Sequence, residues 1–106
     1  MVVQSIDIFC TVIDNFGDIG VCWRLAKQLQ QEYDLIIRLW VDDLASFAKL
    51  EPSLALNTPS QYCQKIEICH WRNDHFPTTI QPYHVVIEGF ACRLPESFLQ
   101  AMAQQT

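Results

Sequence analysis

No apolar run in the chain approaches ~18 residues, so it offers no candidate for a membrane-spanning helix. No basic stretch precedes its first alternating segment, so no secretory leader is expected. Positive charge is also scarce. Seven Lys and Arg lie scattered against twelve Asp and Glu, for a net charge of −5. Sequence-independent nucleic-acid binding relies on many Lys and Arg that displace counterions, so that class is excluded. Charged residues of both signs make up only 18% of the chain, against about 25% in ordinary soluble domains. A surface this poor in charge is expected to be covered. The last segment, Ala101 to Thr106, breaks off along a helical pattern without a glycine or proline stop. These features lead us to expect a truncated, N-terminal part of a longer cytoplasmic protein.

The five cysteines form no C-x-x-C pair. In a chain with no leader they are expected to be reduced, small core residues. Cys63, Cys69 and His70, with His75 beyond, come nearest to a ligand cluster. Their spacing fits no standard zinc pattern, so no metal is expected. Internal repeats and low-complexity tracts are missing as well.

What is present is enough for one domain. Half of the 106 residues are hydrophobic, which supplies a core for a chain of this length. Ser5 to Ile13 is apolar-rich and β-branched, a first strand. Ile19, Cys22, Trp23, Ala26, Leu29 and Tyr33 recur at helical spacing. Leu35 to Val41 is the near-continuous apolar run of a buried parallel strand. Asp42 and Asp43 end it and are expected to cap a short helix, Leu44 to Leu50, stopped by Pro52. Residues 51 to 62 read as loop. Lys65 to Trp71 is a third strand, 72 to 83 a proline-containing loop, and His84 to Ile87 a fourth strand. Pro95 opens a last helix through Phe98, Leu99 and Met102. Strands alternating with helices predict an α/β fold, a Rossmann-like, mostly parallel sheet flanked by helices on both faces.

The segment Ile13 to Arg24 concentrates the chemistry. It runs from the end of the first strand into a helix, and it holds Asp14, Asp18, Gly17 and Gly20. In α/β sheets, ligands bind outside the carboxyl ends of the strands. Three readings of this turn are open. In the first, Asn15, Gly17 and Gly20 imitate a dinucleotide-binding glycine fingerprint, with Asp42 about where a ribose-binding acid would follow. Asp18 opposes that reading, because two like charges at ~4 Å repel by ~4 kcal/mol at an effective dielectric near 20. In the second, Asp18 caps the helix, worth ~1 kcal/mol, and Asp14 holds an Asx turn. In the third, Asp14 and Asp18 form a carboxylate pair that binds a cationic or nucleophilic substrate group. A helix N-terminus favours an ionised carboxylate and weakens it as a base, while repulsion between the two acids works the other way.

At these residues the chain resembles the protein-arginine rhamnosyltransferases, the EarP family. The likeness is carried by D-N-F-G-D-I-G-V-C-W-R-L-A at 14 to 26, preceded by I-F-C-x-V-I. It continues at L-W-V-D-D, 39 to 43, and at V-V-I-E-G-F-A-C-R-L-P-E, 85 to 96. One departure stands just before the last motif, where His84 replaces an expected Asp. The resemblance implies the N-terminal half of a GT-B glycosyltransferase that needs no metal or cofactor and inverts the sugar configuration. It implies transfer of L-rhamnose from dTDP-β-L-rhamnose to an arginine of translation elongation factor P. Residues 1–106 would be the acceptor-side domain, with the C-terminal nucleotide-sugar domain absent and the fragment inactive alone. Asp18 would act as general base and Asp14 as its orienting partner. Asn15, Phe16, Gly17 and Glu88 would line the substrate site; Glu88 follows the fourth strand and faces the crevice if the sheet is parallel, where it either lines the acceptor site or has a structural role such as capping the next helix. The alternatives are an NAD(P)-type dinucleotide-binding domain and a non-catalytic module that recognises a basic protein surface.

Overall fold

The computed structural model describes residues 4–12, 17–72, 76–89 and 94–104. Ser5–Cys10 (β1) is buried at every position, because it lies inside a sheet with both faces covered. Gly17–Tyr33 (α1) follows, and its stripe of Ile19, Cys22, Trp23 and Ala26 is buried against the sheet. The helix ends where Asp34 takes a left-handed φ of 53° and its N–H reaches the Gln30 carbonyl at 3.0 Å. That is the single-bond αL stop usually given to glycine or asparagine. Ile36–Val41 (β2) runs into Leu44–Ala48 (α2). Ser60–Cys63 (β3), Ile66–His70 (β4), Val85–Gly89 (β5) and Glu96–Gln104 (α3) complete the described elements.

The five strands lie in the order β3-β4-β2-β1-β5. β4, β2, β1 and β5 are parallel, and β3 is an antiparallel edge. The α/β class and the mostly parallel sheet expected from the sequence are therefore present. β3 corrects the loop expected over 51 to 62. It hairpins onto β4 through Gln64 and Lys65, both at positive φ (52° and 68°). A two-residue hairpin turn needs that geometry, but its usual sign is Asn-Gly, not Gln-Lys.

Side-chain alternation divides the core. Ile6, Ile8 and Cys10 meet α1 and α2 through Ile37, Leu39, Val41, Trp23 and Phe47. On the other face, Phe9 stacks on Trp40 (centroids 5.3 Å, planes 5° apart) and meets Trp71 and Phe98 edge-on. Phe98 comes from α3, so that helix covers this face.

Candidate functional site at the carboxyl end of the sheet

β1 is flanked by β2 on one side and by β5 on the other, and the strand order reverses there. A reversal of this kind opens a crevice at the carboxyl ends of the strands. Cys10, Val41, His70 and Gly89 are the last residues of β1, β2, β4 and β5. Asp18 sits above this end, in the first turn of α1, and is 8% exposed. The first turn is a favourable place for a negative charge, because unpaired backbone N–H groups point out of it. Asp18 is the second residue of α1, not the residue ahead of it, which corrects its expected N-cap position. Gly17, the first residue, is exposed, with open space where a Cβ would stand. Asp14, Asn15 and Phe16 lie outside the described residues.

Asp18 and Asp42 both bear on the Cys10 thiol. A hydrogen bond with Cys22, burial and these two carboxylates together push that thiol up, so it stays uncharged at neutral pH. Asp42 does not cap α2. Its Oδ1 accepts the backbone N–H of Val12 at 2.9 Å. Burial raises its pKa, an effect that the Val12 hydrogen bond opposes. The sequence reading missed this contact between residues 30 apart. Asp43 is the cap: its carboxylate accepts from the Ser46 N–H at 3.1 Å and from the Ser46 hydroxyl at 2.8 Å.

Glu88 is exposed and pairs in register with Phe9, on the α3 face. It therefore shares the carboxyl end with Asp18 but not the face that carries α1. Next to it, Gly89 is where the helix and strand come closest. A Cβ there would lie 3.1 Å from Cys22 Sγ and 3.2 Å from the Phe9 carbonyl oxygen. At Gly20 a Cβ would meet only Leu50 Cδ1, at 3.8 Å. The third glycine of a dinucleotide fingerprint is there for close helix–strand packing, and Gly20 has no such duty.

Trp23 is buried and meets Phe47 edge-on at 5.1 Å, so it belongs to the core. Arg24 is exposed, on a groove it shares with Lys27, Gln28 and Glu32. Cys63 packs against the α1-side core and Cys69 lies in the α3-side core, so the sheet separates them. Burial pushes the Cys69 thiol up to about 12. Among the described residues, no group of three or more His, Cys, Asp or Glu could hold a metal ion. Nor is any described helix long and apolar enough to cross a membrane. His84 anchors the start of β5: its Nδ1 accepts the Gln4 N–H at 3.1 Å, an acceptor role an aspartate could also fill.

Residues 6–106 match the sequence profile of the family Elongation-Factor P (EF-P) rhamnosyltransferase EarP. A protein-arginine rhamnosyltransferase of Pseudomonas putida is 46% identical over 96 residues, 91% of this chain and 25% of that protein. One of Shewanella oneidensis is 52% identical over 90 residues, 85% of this chain and 22% of that protein. One of Neisseria meningitidis is 46% identical over 95 residues, 87% and 24% of the two chains. The chain thus spans about a quarter of the length of the curated relatives it matches.

Proposed function

Because the chain belongs to the EarP family of EF-P rhamnosyltransferases, we propose that it is the acceptor-side domain of a protein-arginine rhamnosyltransferase. The observation that carries this reading is the match over residues 6–106, which takes in β1 from its second residue, all of α1 and Asp18. The sheet is read as the Rossmann-like N-terminal half of a GT-B enzyme; its parallel strands run third-second-first-fourth, which supports that reading. The acceptor is an arginine of translation elongation factor P. The donor is dTDP-β-L-rhamnose, held mainly by a C-terminal domain, and neither metal nor cofactor takes part. The reaction takes place in the cytoplasm.

A guanidinium stays protonated in proteins, and its delocalised nitrogens are poor nucleophiles. A carboxylate at one nitrogen holds it by a charge-assisted bond. As that nitrogen attacks the anomeric carbon, Asp18 takes its proton, the C–N bond forms, and the bond to dTDP breaks with inversion. Asp14 orients the guanidinium, and Asn15, Phe16 and Gly17 line its path. Glu88 has a peripheral place, on the far face of the sheet. A general base of this kind contributes about 10²–10⁴-fold. The dinucleotide reading is weaker, because a buried carboxylate stands in the first turn of α1 and Gly20 is not needed for packing.

The test is a transfer assay with the full-length protein, dTDP-β-L-rhamnose and elongation factor P, read by mass spectrometry. The expected product is one deoxyhexose on one arginine. Transfer to another residue or no transfer overturns the reading, and binding of elongation factor P without transfer favours the non-catalytic module.

A further inference from the structure

Asp18, the candidate base, stands in the first turn of α1, and Asp42 grips the chain where it leaves β1, from the end of the neighbouring strand. Its Oδ1 accepts the Val12 N–H at 2.9 Å in a part-buried setting. Asp42 is itself held from a third strand: its carbonyl lies 3.1 Å from His70 Nε2. Trp71 closes the same corner. Its backbone N–H donates to the Val41 carbonyl at 3.1 Å, and its indole N–H to the Cys10 carbonyl at 3.4 Å. Three strand ends are thereby tied to one another just before the turn begins. Among the described residues, no other side chain receives a hydrogen bond from the backbone of residues 11 and 12. A backbone N–H leaving a sheet has lost its ladder partner and needs one acceptor. Asp42 supplies that acceptor from 30 residues away, so the position of the chain at Val12 depends on β2 and not only on local sequence.

The geometry points to Asp42 as a positioning residue for the transfer reaction: it fixes Val12 where the chain leaves β1, so that the first turn of α1 presents Asp18 at a set distance from the acceptor nitrogen. This inference rests on the reading of Asp18 as base. Asp42 touches no reacting atom and acts through the backbone of Val12. The catalytic cost of losing that hold can be large, since a displacement of about 1 Å at a reacting group can cost about 100-fold.

The test compares Asp42→Ala with Asp42→Asn in the full-length protein. Asparagine keeps an oxygen acceptor for the Val12 N–H, and alanine does not. Each variant is assayed for transfer, for thermal unfolding, and for hydrogen exchange at the Val12 amide. In Asp42→Ala, kcat is expected to fall by about 10- to 100-fold, with KM for the nucleotide sugar within about twofold of wild type. The Val12 amide exchanges faster in that variant. Asp42→Asn is expected to recover most of the loss in kcat and all of the amide protection. Loss in Asn equal to that in Ala overturns the inference, because it would mean the charge matters and not the hydrogen bond. So does an Ala variant with unchanged kcat, or one whose Val12 amide stays protected. If the wild type transfers no rhamnose, the functional reading fails by itself. The grip on Val12 is then still decided by the exchange measurement, where equal rates in wild type and Ala refute it.

Discussion

The two faces of the sheet bury acids for different ends. On the α1 side the core is mainly aliphatic, and Asp18 sits at its rim, at the carboxyl end of the strands. On the α3 side Asp7 lies in mid-strand with no exposure at all. Asp7 pairs with Arg38 through both carboxylate oxygens and also accepts from the Trp40 indole at 2.8 Å and the Tyr83 N–H at 2.8 Å. Arg38 in turn donates to the Gln81 carbonyl at 2.8 Å and stacks under Tyr83 at 3.9 Å. Burial pulls the Arg38 pKa down, but the bonds to Asp7 more than offset this and leave it above the usual value. A regular helix satisfies its own backbone, so α1 needs no such device. The irregular segment ahead of β5 does, because its N–H and C=O groups have no ladder there. The lesson is that a buried charge here is structural where it meets loop backbone from mid-sheet, and a candidate for chemistry where it stands at the strand ends.

The sharpest break between the two acids is expected from Asp18→Asn in the full-length protein. Turnover should fall by about 10²–10⁴-fold, and loss of the helix-terminus interaction should cost at most about 1 kcal/mol. Retained turnover in a steady-state assay would remove Asp18 from the mechanism. Asp7→Ala should do the reverse, costing about 3–5 kcal/mol in urea unfolding because it strands Arg38 in the core. The double replacement Asp7→Leu with Arg38→Met should recover only part of that, since the Tyr83 and Trp40 N–H groups still lack an acceptor. Full recovery would show that the polar hold on residues 81–83 is unimportant.

Glycine substitutions probe the packing of the α1 side on a smaller scale. Gly89→Ala presses on Cys22 Sγ and the Phe9 carbonyl, and should destabilise by about 1–3 kcal/mol. Gly20→Ala meets only ordinary contact within α1, and should stabilise by about 0.5–1 kcal/mol. Thermal melts of the two variants should shift in opposite directions, and shifts of one sign would contradict the packing described. The smallest effect is expected at Asp43, where alanine removes the α2 cap at about 1 kcal/mol. Its hydrogen bonds to Ser46 hold the Asp43 carboxyl below its ordinary value. The cap's contribution is therefore complete above the ordinary carboxylate range and fades as pH falls through the lower, folded-state value. Melts of wild type and Asp43→Ala should converge in strong acid, and a gap that persists there would refute the cap.

Much of this was legible in the residues. The stripe from Ile19 to Tyr33 marks α1 because a helix repeats every ~3.6 residues whatever it packs on. The run ending at Val41 marks a strand buried on both faces. β3 was not legible, since Gln64 and Lys65 adopt by tertiary pairing a turn that their side chains do not favour. Asp42 next to Asp43 looked like a second cap, because a bond to Val12 leaves no trace in local spacing. Glu88 was assigned to the crevice from its place after a strand. Which face it takes depends on its register with Phe9, and a shift of one residue would reverse it.

The chain alone determined the periodic elements, the cluster of acids and glycines at residues 14 to 20 and the motifs of its family, all of which depend on near neighbours along the backbone. Only the tertiary structure decided the strand order, the face each acid occupies, the ion pair inside the α3-side core and the grip of Asp42 on Val12. Each of these joins residues about 30 or more apart. Such contacts form only when the strands pair, and hydrogen bonds across a sheet depend on register and distance, which local propensity does not encode.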